Sequence, residues 1–156
     1  REERGGYPNG LNERCPILRT YAISPRICKS SDTFRFAVEY QYDEPDDFYI
    51  AIALHDIRRG GISYDTGMKT FKMKDHGHHV AVFDIPLNIF NNGEFRLIAS
   101  LRIPNPNDDQ QTDAVGVAVD ENACTFVIQD ERNRNYALLS DRALTMTQVD
   151  DSIINI

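Results

Sequence analysis

The 156-residue chain is 41% hydrophobic and 26% charged, a balance that suits one globular domain built around a single core. A formal charge of -7 excludes general affinity for nucleic-acid phosphates or anionic lipid, since both are held chiefly by clustered Lys and Arg. Three cysteines, Cys15, Cys28 and Cys124, make an odd count without CxxC spacing; this excludes a full disulfide framework and a zinc knuckle and predicts free thiols in a reducing compartment.

In chain order, "REERGGYPNG" is charged and turn-rich, and the sequence begins at Arg1 without an initiator Met. Residues 1–11 therefore read as a linker from a missing N-terminal domain. Beyond it, apolar and polar residues alternate and helical periodicity is almost absent, so the predicted elements are strands. A first strand runs through "CPILRTYAIS" and stops at Pro25. In "TFRFAVEYQY", Phe34, Phe36, Val38, Tyr40 and Tyr42 fall on one side and Arg35, Ala37, Glu39 and Gln41 on the other. After the turn "DEPDD", the strand "DFYIAIALHD" points Phe48, Ile50, Ile52 and Leu54 to a core. Its other side carries Tyr49, Ala51, Ala53 and His55, small residues framed by an aromatic and an imidazole.

"RRGG" turns the chain into a short "ISYDTG" segment, and "HVAVFDIPL" follows as a strand with Ala81, Phe83 and Ile85 inward. "NIFNNG" suggests one helical turn closed by Gly93. "EFRLIASLRI" buries Phe95, Leu97, Ala99 and Leu101 and turns Arg96, Ile98, Ser100 and Arg102 the other way. Past the polar loop "PNPNDDQQTD" come "AVGVAVD" and "ACTFVIQ". About seven short strands with turn signals between them describe an all-β fold, an immunoglobulin-like or jelly-roll β-sandwich over residues 12–130. Residues 131–156 add two apolar segments, "YALLS" and "ALTMTQV", which a completed sandwich does not need. They read as an added edge strand, a frayed end or, the favoured expectation, a strand exchanged or capping in a homodimer.

No chemistry of catalysis stands out. The chain has no GxSxG elbow, no GxxxxGK[ST] phosphate loop and no GxGxxG, so an enzyme is not expected, nor a cofactor. "NPNDDQQTD" lacks the central Gly of a calcium loop. "KDHGHH" clusters three histidines and an aspartate, types that ligate zinc or nickel. At the start of a strand, however, His78 and His79 point to opposite faces, which favours a polar turn over a metal site.

The succession "SSDTFRFAVEYQY", "DFYIAIALHD", "FDIPL", "NNGEFRLIASL" and "ENACTFVIQD" resembles the Wzt-type C-terminal domain of ATP-binding subunits of bacterial O-antigen ABC transporters. The resemblance runs from about residue 12 to about residue 130 and rests on the order of "NGEFRL", the Pro after "FDI" and the ending "ACTFVI". Ser-Ser-Asp stands before the second strand where that family has Gly. The resemblance implies a cytoplasmic, non-catalytic domain at the inner membrane that recognises O-polysaccharide near its non-reducing end. It further implies a homodimer through exchanged C-terminal strands, and nucleotide-binding and transmembrane domains as partners.

In such a sandwich the strands at 48–56, 94–103 and 122–129 lie side by side. Their outward side would be one surface of Tyr49, Ala51, Ala53, His55, Arg96, Ile98, Ser100, Arg102, Thr125, Val127 and Gln129. Tyr49, His55, Arg96, Ser100, Arg102, Thr125 and Gln129 are the candidate carbohydrate-binding residues, with Tyr49 as stacking platform because Trp is absent. The rival expectation is an immunoglobulin-like interaction module whose same face docks protein. An accessory domain of a secreted glycosidase fits the cysteines and the missing Trp less well.

Overall fold

The computed structural model describes residues 11–67, 70–105, 114–120, 124–130 and 146–149. Within them the chain forms strands β1 (Ile17–Ala22), β2 (Ile27–Cys28), β3 (Thr33–Tyr42), β4 (Tyr49–Asp56), β5 (Ile62–Asp65) and β6 (Phe71–Lys72). Then follow β7 (Gly77–Pro86), β8 (Gly93–Pro104), β9 (Ala114–Val119), β10 (Thr125–Ile128) and β11 (Thr147–Val149). One sheet has the order β1-β3-β7-β11; the other runs β2-β10-β8-β4-β5, with β9 also on β8 and β6 on β4. The two sheets face each other as a β-sandwich with the hydrophobic core between them. Among the described residues no helix is long and apolar enough to cross a membrane.

Alternation places the core. Phe34, Phe36, Val38, Tyr40 and Tyr42 of β3 are 2% exposed or less, as are Ile50, Ile52 and Leu54 of β4 and Phe95, Leu97, Ala99 and Leu101 of β8. Phe34 stacks on Phe126 with ring centroids 4.4 Å apart, and Phe126 on Phe95 at 5.6 Å, so aromatic packing ties the two sheets together. Each such side chain contributes roughly 1.5–3 kcal/mol by leaving water. Leu11, placed by the sequence in the linker, is 7% exposed and belongs to this core, so the packed unit already includes it. The remainder of the expected linker lies outside the described residues.

Several local expectations are corrected. "NIFNNG" holds a turn in which the Phe90 N–H donates to the Leu87 carbonyl at 3.1 Å, and no helix forms. Gly93 opens β8 instead of closing that turn, and a Cβ there would meet the Phe95 ring at 3.3 Å, so the close ring explains the glycine. Two-residue strands β2 and β6 escape sequence reading because two residues carry no period. At the outer edge of β1, the Thr20 N–H donates to the buried Asp120 carboxylate at 2.8 Å, which occupies an edge donor that a foreign strand could use.

At the other edge, β11 pairs antiparallel with β7 of its own chain, Thr147 opposite Asp84 and Val149 opposite Val82. This pairing gives the end of "ALTMTQV" an edge position in the smaller sheet. "YALLS" lies outside the described residues.

Candidate functional site

The side of the larger sheet turned away from the core is where the candidate residues meet. β4 and β8 pair Tyr49 with Arg102, Ala51 with Ser100, Ala53 with Ile98 and His55 with Arg96, while β10 sets Thr125 opposite Arg96. Opposed residues share a face, so this register makes one surface of them, as parity predicts. His55, Arg96 and Thr125 form one cross-strand row, and Tyr49 and Arg102 another at the far end of β8.

The surface is nevertheless too long for one small site. Gln129, exposed, follows β10 and its N–H donates to the Cys28 carbonyl at 2.8 Å. Since Ile128 opposes Gly93, Gln129 lies roughly 30 Å along β8 from Arg102 at about 3.3 Å per residue. A single sugar cannot touch both. Tyr49 needs a second correction, being only 9% exposed between Arg102 of β8 and Lys72 of β6, so it offers no open ring for stacking. Its small neighbour Ala51 is 8% exposed.

Between these ends lies a trough of about 410 Å³ lined by Ala51, Ile52, Ala53, Ile98, Ser100 and Arg102, with Asp65 of β5 on one side and Gly116, Val117, Ala118 and Val119 of β9 on the other. Two causes are visible in the strands. Alanines at 51 and 53 leave space over β4, and the register of β8 with β9 shifts between Leu101 and Arg102, so Val117 is an extra residue in the wall. Asp65 accepts the Gly67 N–H on Oδ1 at 2.7 Å. Sequence reasoning missed Asp65 and the β9 wall. "ISYDTG" beside "DFYIAIALHD" was signal enough for a hairpin that brings Asp65 opposite Ala53; the pairing of β9 with β8 has no local signal.

The β4–β5 turn at one end of this face is braced by Asp56. Its Oδ1 accepts the N–H groups of Arg58 at 3.1 Å and Arg59 at 2.9 Å, and its Oδ2 pairs with the Arg59 guanidinium at 2.9 Å. Burial pulls the Asp56 carboxyl up, but these bonds and the Arg59 charge outweigh it and hold it below its ordinary 3.8. Gly60 and Gly61 complete the turn with φ of 81° and 84°, where side-chain-bearing residues are strained.

"KDHGHH" disperses as opposite faces require. His76 bonds the Glu44 carbonyl through Nδ1 at 2.7 Å and packs edge-on to Phe48; His78 bonds Glu39; His79 lies beside Tyr40 with centroids 6.2 Å apart. Among the described residues no group of three or more His, Cys, Asp or Glu is placed to hold a metal. Most of "NPNDDQQTD" lies outside them. The three thiols are free and buried. Burial pushes Cys15 up to about 12 and Cys124 up to about 11, and raises Cys28.

No family model matches the chain, and no curated protein does. Among solved structures it is similar to the CARDB domain of a Pyrococcus furiosus protein, solved in complex with di-metal ions: 15% identity and a TM-score of 0.37, over 78% of this chain and 92% of that one.

Proposed function

We propose that this domain is a non-catalytic recognition module that binds bacterial O-polysaccharide on the outer face of its larger sheet. It would act in the cytoplasm, presenting polymer to an ABC transporter whose nucleotide-binding and membrane parts are its partners. The observation that supports this reading is the trough over Ala51, Ala53, Ile98 and Ser100. Its volume, about 410 Å³, falls within the roughly 300–1,000 Å³ of ligand sites, and polar groups from two strands, Asp65 of β5 with Ser100 and Arg102 of β8, border an aliphatic floor. The His55–Arg96–Thr125 row extends donors beyond it, which suits a chain of several sugars better than one. Each sugar hydrogen bond contributes about 1 kcal/mol after desolvation, so affinity comes from several together.

The test is calorimetric titration of the domain with a panel of O-polysaccharides, with Ala53→Trp to fill the trough. Saturable binding that Ala53→Trp reduces at least tenfold, with unfolding temperature little changed, is the expected result. A second reading, a protein-docking face, draws on Ile27 and Ile62, 71% and 56% exposed at the two margins of the same sheet. Absence of binding to every polysaccharide would favour it.

A further inference from the structure

Resting on the carbohydrate reading, we propose that the trough selects a sugar bearing a methyl group, a 6-deoxyhexose, and seats that methyl on Ala53, Ile98 and Val119. The trough is not built for ring stacking: among the described residues its lining contains no aromatic side chain, and the sequence holds no Trp. What the trough offers is aliphatic surface with a polar border. Ala53 lies between Asp65 and Ile98 in one cross-strand row, and Ser100 lies between Ala51 and Val119 in the next. Adjacent strands are about 4.8 Å apart and successive rows on one face about 7 Å. Asp65 and Ser100 therefore border the aliphatic patch within the span of a sugar ring and its neighbour.

The polar groups match hydroxyls. Asp65 Oδ1 is engaged by the Gly67 N–H, and among the described residues no hydrogen bond engages its Oδ2, so a carboxylate oxygen remains to accept from a sugar hydroxyl. Ser100 can both donate and accept. A hexose would place its hydroxymethyl on the aliphatic patch, and that hydroxyl would lose water without gaining a partner. A 6-deoxyhexose puts a methyl there instead. Discrimination by one such group in an apolar site begins at about tenfold, the value expected for a trough open to solvent.

Amide-shift NMR titration of the whole chain tests this, comparing a 6-deoxyhexose disaccharide with the hexose disaccharide of the same configuration and linkage. The expected result is shifts centred on residues 51–53, 98–100 and 117–119, with about tenfold tighter binding of the 6-deoxy sugar. Ile98→Thr, a half-buried position outside the core, should keep the dispersed spectrum and shrink that ratio toward one. Equal affinity for the two sugars in the unaltered protein would overturn the methyl preference and leave the carbohydrate reading standing. Failure of both disaccharides and of O-polysaccharides to shift any of these amides would overturn the two together.

Discussion

Asp56 is 6% exposed and joins β4 to the turn that follows, so removing its charge should be felt in stability. Its folded carboxyl sits below 3.8, so the stability it contributes is present above that pH and is lost as pH falls through the lower folded value. Glu39 follows the same sign: burial raises its carboxyl, but bonds from His78 and Arg19 and the Arg19 charge bring it below 4.5. Asp56→Asn should cost about 1–2 kcal/mol at pH 7, by thermal unfolding, and the gap from the unaltered protein should close as pH falls below 3.8. The cysteines give a second expectation at this scale. With all three thiols buried and held protonated, an aromatic disulfide reagent at pH 8 should label none in the native protein and all three after denaturation. Free thiols were legible from count and spacing; their burial follows from Cys15, Cys28 and Cys124 joining the core.

Strand parity carries the element scale. β3 occupies the predicted Thr33–Tyr42, and its inward aromatics meet Phe126 of the facing sheet. Phe126→Ala should therefore cost about 3–5 kcal/mol in a denaturant titration, whereas Val127→Ala on the outer face should cost under about 1. Both positions were assigned from alternation alone, because a side chain's face is set by its neighbours in the chain. The same reasoning found Ala51, Ala53, Ile98 and Ser100 for the trough. It could not find the bulge at Arg102 or the 9% exposure of Tyr49, which depend on strands distant in sequence.

At the scale of the whole molecule, β11 occupies the edge beside β7, and an exchanged strand from a second copy would use the same edge. If the domain pairs by exchange, light scattering should give a dimer for the whole chain and a monomer after deletion of residues 135–156. A monomer in both would end that proposal. The sequence by itself determined that the fold is β, which side of each long strand faces inward, and that the small outer residues at 51 and 53 leave room, since strand parity is a property of adjacent residues. Tertiary structure alone decided that β9 and β5 wall the trough, that Gln129 stands far from Arg102, and that β11 takes the edge beside β7. Those outcomes depend on the hydrogen-bonding partner of each strand edge, and backbone donors and acceptors are alike in every residue except proline.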